Sequence, residues 1–208
     1  MKAKVIITLI MLYFSEILNA QNRLIGAGGL LKIGTDISFF SSGLEARHIP
    51  VTGFHVGLAP SFLLSPTVYF KPEAAFSMKG GRINYDSGFG HFNGDVRYRI
   101  NYLEFPVMFG IKPKPNFSFE FGPYAALEVG GNFDFEGDFA SGYGRFYRED
   151  IRDFDYGIVA GINAGPLQIR YYHGLQEIAG SDVSHAFLGN TANHSVQICL
   201  QRRRFRKF

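Results

Sequence analysis

The chain has 208 residues, a formal net charge of +3, abundant glycine, phenylalanine and tyrosine, a single cysteine and no tryptophan. This length suits one domain with a sizeable core, and the composition favours strands and turns over helices. Most of the positive charge lies in Arg202, Arg203, Arg204, Arg206 and Lys207, which excludes a general nucleic-acid surface, and the lone Cys199 excludes an internal disulfide framework.

The first twenty residues read as a leader. Lys2 and Lys4 precede the apolar run Val5 to Phe14, and Ser15 to Ala20 leads into the polar Gln21. A positive start, an apolar stretch of about ten residues and a small residue at the cut describe a secretory signal peptide. The run is too short for a spanning helix, which takes roughly twenty residues. Residues 1–20 are therefore expected to be a cleaved signal peptide, and 21–208 one β-barrel domain.

Beyond the leader, period-two patterning marks eight segments: 24–34, 52–64, 67–80, 96–111, 117–130, 153–164, 167–177 and 194–205. A tilted strand crosses a bilayer in about 9–11 residues, so each is long enough. Short turns join the second to the third (Ser65-Pro66), the fourth to the fifth (Lys112 to Asn116) and the sixth to the seventh (Gly165-Pro166). The connections 35–51, 81–95, 131–152 and 178–193 are long and polar. Alternating short and long links describe an eight-stranded antiparallel up-and-down transmembrane barrel with short periplasmic turns and long external loops.

The faces of the strands carry the chemistry. In the fifth, Phe117, Phe119, Phe121, Ala125, Leu127 and Val129 oppose Ser118, Glu120, Gly122, Tyr124 and Glu128. In the fourth, Leu103, Phe105, Val107, Phe109 and Ile111 oppose Tyr102 and Glu104; in the third, Val68, Phe70, Phe76 and Met78 oppose Lys71, Glu73 and Lys79. The seventh sets Leu167, Ile169 and Tyr171 against Gln168, Arg170 and Tyr172, and the last sets Val196, Ile198 and Leu200 against Cys199. A soluble barrel would turn the phenylalanines inward, whereas a membrane barrel turns them to lipid and fills its lumen with the polar set. The expected interior is a structural charge network of Lys71, Glu73, Glu104, Glu120 and Arg170, because a buried charge without a partner is costly. Eight strands leave an interior just wide enough for side chains, so Tyr102, Tyr124, Tyr172 and Arg170 would close it to passage.

Several segments together resemble the PorT-like outer-membrane β-barrel family of Bacteroidetes. They are Gly53-Phe-His-Val-Gly57, Lys71-Pro-Glu-Ala-Ala-Phe-Ser-Met-Lys-Gly80, Tyr102-Leu-Glu-Phe-Pro-Val107, Phe121-Gly-Pro-Tyr124, Phe154-Asp-Tyr-Gly-Ile158 and Arg170-Tyr-Tyr-His-Gly-Leu175. The resemblance implies an outer-membrane barrel and does not imply one activity. A few members of that family serve in secretion or gliding.

Sites for other chemistry fall short. Asn132-Phe-Asp134-Phe-Glu136-Gly137 begins like a calcium loop, but Tyr143 stands where the closing glutamate belongs. Phe133 and Phe135 instead read as a strand continuing above the bilayer. Gly26-Ala-Gly28-Gly29 lacks the third glycine of a dinucleotide loop, no Gly-x-Ser-x-Gly occurs, and the histidines lack metal-ligand spacing. A lipid-modifying hydrolase would need Ser184 with His185, or Ser195 with His194, and Asp182; sequence neighbours on a strand face opposite ways. No catalytic, cofactor or metal residues are expected.

The resulting expectation is a non-enzymatic outer-membrane protein acting through external loops. Asn84, Tyr85, Phe89, His91 and Phe92 in the second loop, and Phe139, Tyr143, Phe146 and Tyr147 in the third, serve as an aromatic girdle or a protein-contact surface. Its expected partners are outer-membrane lipid, the outer-membrane assembly machinery and a protein at the loops, with no nucleic acid. Phe205 and Phe208 supply the terminal aromatic signal of such barrels. Two alternatives stay open: a soluble periplasmic lipocalin-like binding barrel and an outer-membrane lipid-modifying hydrolase.

Overall fold

Alternation of outward apolar and inward polar residues leaves each segment with one face for lipid and one for the interior, which is the pattern of a closed sheet. A computed structural model describes residues 31–41, 47–86, 93–137, 141–145, 151–180 and 191–201. Twelve strands form one antiparallel sheet: β1 (Leu31–Ser41), β2 (Arg47–Ile49), β3 (Val51–Leu58), β4 (Phe62–Leu63), β5 (Val68–Pro72), β6 (Ala74–Asp86), β7 (Asn93–Lys114), β8 (Phe117–Gly137), β9 (Ser141–Arg145), β10 (Phe154–Ala164), β11 (Leu167–Glu177) and β12 (Ala192–Gln201). The sequence β1-β3-β6-β7-β8-β10-β11-β12 pairs strand to strand and closes where β12 pairs back onto β1. This ring has eight staves, with β5 continuing β6 below Glu73 and pairing with the same neighbour, β7. The leader, Gly26 to Gly29, the basic cluster from Arg202, and the terminal Phe205 and Phe208 lie outside the described residues.

The short turns stand where the proline and glycine pairs put them. Leu64 and Ser65 donate backbone hydrogen bonds to the Val68 carbonyl, and Ser65 Oγ accepts one from Val68 N. Gly165 turns the β10–β11 hairpin at φ +58°, a conformation that a side chain would strain. The seventh expected segment, 167–177, coincides with β11.

The first strand is a correction. Expected at 24–34, it runs from Leu31 through Ser41 in the described residues, through residues read as loop. Asp36 and Ser38 made this stretch look like a solvated connection, yet they and Lys32 are buried and face the lumen. In a barrel with a polar interior, polarity does not mark a loop; pairing of Asp36 with Gln197 and of Thr35 with Phe54 sets the register. The second and third long connections shrink likewise. Asn84 and Tyr85 belong to β6, β7 begins at Asn93, β8 continues to Gly137, and β9 adds Tyr143 beside Asp134. Phe89, His91, Phe92, Phe139, Phe146 and Tyr147 lie outside the described residues.

The outward face is apolar across the lower and middle wall. Leu31, Ile33, Phe54, Ile111, Phe119, Phe121, Ile158 and Leu200 are large and exposed, while their inward neighbours are buried. A bulge in the β7–β8 pairing lies between Asn101 and Tyr102, with Gly130 at φ +149°. Beyond it the phase of β8 reverses, so that Phe133 packs on the buried apolar cluster while Phe119 and Phe121 below it face out. That cluster, with Phe40, Ile83, Val96, Ile100, Ile151 and Ile178, fills the mouth opposite the short turns.

The face assignment has a direct test. Phe119→Arg should cost about 2–4 kcal/mol in urea unfolding from liposomes, and Tyr143→Arg, on β9 beyond the apolar belt, about 0–1 kcal/mol. Equal tolerance at both positions would show that Phe119 does not meet mid-bilayer lipid.

Candidate functional site in the charged lumen

Side chains from nearly every stave meet in the interior, and they sort into two storeys. The lower storey, near the short turns, holds Lys32, Lys71 and Arg170 against Glu73 and Glu120. Arg170 bonds both oxygens of Glu73, Nη1 to Oε2 at 2.8 Å and Nη2 to Oε1 at 2.5 Å, and Nη2 also reaches Glu120 Oε2 at 2.6 Å. Lys71 Nζ donates to Glu120 Oε1 at 2.5 Å and lies 3.3 Å from Glu73 Oε1. Lys32 Nζ lies 3.0 Å from both Glu73 Oε2 and Gln197 Oε1.

Neutral groups complete this shell. Glu120 accepts from Tyr69 OH at 2.6 Å and from Gln168 Nε2 at 3.0 Å, and Gln168 also donates to Asn163 Oδ1 at 2.6 Å. Gln201 ties its amide to the Ala59 carbonyl at 3.2 Å. Arg170 is 1% exposed and the Glu73 and Glu120 residues 2% each, so removal of one partner leaves a charge with no water to turn to. The bulk is accommodated by small residues directly across the sheet. Gly161 is paired with Arg170, where a Cβ would meet Arg170 Cγ at 2.6 Å; Gly110 lies under the Tyr69 ring.

The upper storey is built around Lys79. Its ammonium contacts Glu104 and lies 4.2 Å and 5.1 Å from the centroids of Tyr172 and Tyr124, within cation–π range. Tyr124 donates to Asp155 Oδ2 at 3.2 Å, and His55 Nδ1 lies 3.3 Å from Asp36 Oδ2. Of the five residues expected in one network, Lys71, Glu73, Glu120 and Arg170 meet in the lower storey; Glu104 stands apart with Lys79. Inward phase alone did not single out Lys32, Asp36, His55 or Asp155. Lys32 and Asp36 lay within or beside a presumed loop, while the alternation of their strands carried a signal for His55 and Asp155.

Above the apolar wall the strands carry half-buried ion pairs. Arg82 contacts Asp95, and Arg99 lies 3.4 Å from Asp134. The Arg82 hydrogen bond holds the Asp95 carboxyl below its ordinary range, so the contact is lost as pH falls through that lowered value.

The Ser195–His194 pair weighed from sequence does not assemble as drawn. Ser195 is a buried lumen residue, whereas His194 lies on the outward face and meets Ser41 Oγ through Nε2 at 2.9 Å. Its Nδ1 lies 3.3 Å from Tyr171 OH, where a hydrolase triad would place a carboxylate. Ser184, His185 and Asp182 lie outside the described residues. Among the described residues, no three His, Cys, Asp or Glu side chains group to hold a metal ion, and no helix is long and apolar enough to cross a membrane.

A closed antiparallel ring with an apolar exterior and a charged, packed interior defines a membrane-type β-barrel. The sequence matches the family model described as outer membrane protein beta-barrel domain over residues 19–180, and the chain belongs to that family. Among solved structures, Ail, the attachment invasion locus protein of Yersinia pestis, in complex with the heparin analogue sucrose octasulfate, is 13% identical with a TM-score of 0.45, over 87% of this chain and 100% of that one. Neisserial surface protein A is 7% identical with a TM-score of 0.46, over 84% of this chain and 96% of that one. No curated protein matches the sequence.

Removing the central guanidinium tests the bracing. Arg170→Ala should destabilise the barrel by about 3–5 kcal/mol, read as an earlier loss of the folded gel form on heating, and adding Glu73→Gln should recover part of it. Arg97→Ala, on the half-buried upper wall, serves as the control with little effect. An Arg170→Ala barrel that unfolds at the wild-type temperature would remove the network as a stabilising element.

Proposed function

We propose that this chain is an exported, non-enzymatic integral protein of the outer membrane, of the PorT-like kind, whose braced barrel is a scaffold for external contacts. Residues 1–20 act in this reading as the cleaved signal peptide, and the barrel's partners are outer-membrane lipid, the assembly machinery that inserts it and a protein met outside. The observation that carries the reading is the uneven height of the wall. β7 and β8 span 22 and 21 residues, against 11, 11 and 10 for β10, β11 and β12. A crossing takes about 9–11 residues, so each tall strand has roughly ten to spare, some 30 Å of strand at the end away from the short turns. Rigid strands, joined there by β9 and β2, present Arg82, Asp95, Arg99, Asp134 and the 67%-exposed Tyr143.

The packed interior supports a scaffold over a channel or a lipocalin-like binder. Its axis is occupied by the two charged storeys below and by the apolar cluster at the mouth, so neither passage nor a ligand cavity fits the arrangement.

Location and orientation are tested together. The mature chain should fractionate with the outer membrane and resist carbonate extraction. Tyr143→Cys should react with a membrane-impermeant maleimide on intact cells, whereas Asn116→Cys, in the β7–β8 turn, should react only after the outer membrane is opened. Recovery as a detergent-free soluble monomer, or labelling with the reverse sidedness, would overturn the proposal.

A further inference from the structure

The outward wall of a membrane barrel is expected to be apolar through the belt, with aromatics at its borders. One region departs from this, where β1, β11 and β12 run together. His173 of β11 and His194 of β12 are directly paired, with ring centroids 4.7 Å apart. Below them the same outward faces carry only apolar and aromatic side chains: Ile169 and Tyr171 on β11, Val196 and Ile198 on β12. The two imidazoles therefore stand at the upper part of the belt, away from the short turns.

The hydrogen bonds of His194 run in both directions from its ring. Nε2 faces Ser41 Oγ at 2.9 Å, and Nδ1 faces Tyr171 OH at 3.3 Å, with the tyrosine and imidazole planes only 2° apart. Phe39 stacks on the ring at 5.7 Å and helps to bury it, leaving His194 5% exposed while Ser41 is open. Among the described residues, no carboxylate lies within ion-pair distance of either imidazole, and His173 makes ring contacts without a hydrogen bond. The patch is thus a set of donors with no anion of its own.

Protonation changes what this set offers. In neutral His194 one nitrogen accepts a hydrogen bond from a hydroxyl and the other donates one. With both nitrogens protonated, Ser41 Oγ and Tyr171 Oη must each accept from the ring, and both hydroxyl hydrogens turn away from it. One proton thereby aims the Ser41 and Tyr171 hydroxyls outward beside the His173 N–H. Three donors around a cationic ring, in the upper part of the wall beside the exposed end of β1, complement an anionic oxygen cluster.

We propose that Ser41, Tyr171, His173 and His194 form a site for the phosphate of a lipid headgroup in the outer leaflet, bound together with a proton taken up by His194. The site is on the wall and independent of any contact made by the tall strands. It rests on the reading that this wall meets lipid.

The test uses the refolded full-length mature chain in nanodiscs of phosphatidylcholine with a minority of phosphatidic acid, a lipid with a phosphomonoester headgroup. Retained lipid is counted by native mass spectrometry at about pH 6 and about pH 8, the range over which imidazoles change charge. Wild type should keep one phosphatidic acid, held roughly tenfold more tightly at the lower pH, as proton linkage requires. His194→Gln with His173→Gln should lose both the retention and its pH dependence. Ser41→Ala, on an exposed side chain at the end of β1, should weaken retention in a barrel that still shows its folded gel form. Retention unchanged in these variants, or equal retention of phosphatidylcholine, would overturn the proposal. Displacement by inorganic phosphate would overturn the lipid source in favour of a soluble anion. A chain that never enters the nanodisc would instead defeat the membrane reading on which the site rests, and the two failures are told apart by whether the barrel inserts.

Discussion

Arg170 is held between Glu73 and Glu120, and this pairing constrains the rest of the barrel. A guanidinium and two carboxylates shut away from water are tolerable only if their geometry is good and the remaining lone pairs find donors. Lys32 of β1, Tyr69 and Lys71 of β5 and Gln168 of β11 provide those donors from three strands. Each contributes only if its strand presents the right face, because a one-residue slip would carry the polar group to lipid and a phenylalanine to the lumen. The interior charges therefore act as a register code. Belt hydrophobicity alone is less specific, since many registers would bury some apolar surface.

The same argument explains why small residues recur opposite large ones. An interior formed by eight staves has little room, so Gly161 and Gly110 make space for Arg170 and Tyr69 on the neighbouring strand. The upper storey follows a different logic. Lys79 is shared among Glu104 and two tyrosine rings, and among the described residues three carboxylates, those of Asp36, Glu104 and Asp155, face one lysine and one histidine there. The apolar cluster above then separates this acidic storey from the outside.

Much of the architecture was legible in the sequence because two signals agreed. Strict alternation assigned the faces of β7, β8 and β11, and Pro and Gly located the short turns at 65–66 and 165–166. β1 was misplaced for a physical reason. Thr35-Asp-Ile-Ser-Phe-Phe40 turns Asp36 and Ser38 inward and Ile37 and Phe39 outward, but the habit of reading polar clusters as loops assumes a greasy interior. The tall strands were cut short by the same assumption, with Phe133 the exception because its aromatic alternation survives above the belt. Within the lumen, phase could place Glu73, Glu104, Glu120 and Arg170 inward, but partner choice depends on height along the barrel axis. That height is set by register, which no single strand contains, and it separates Glu104 from the others. The meeting of Ser41 with His194 was illegible for the same reason: they touch only because the first and last strands are joined.

That junction has a consequence for how the molecule comes into being. Lys32 and Gln197, hydrogen-bonded at the seam, are 165 residues apart in sequence, and Lys71 with Gln201 are 130 apart. Contacts this distant are reached late, after most of the loop-closure entropy has been spent. Until the last strand arrives, an open, curled sheet must keep its cations and carboxylates wet on one side while its phenylalanines are already immersed in lipid on the other. Closure brings Lys32, Gln197 and Gln201 of the first and last strands onto the charges of the lower storey. The lumen thus behaves as a clasp that engages only at the end of assembly, and unfolding in the reverse sense must open a fully bonded seam before any strand can leave.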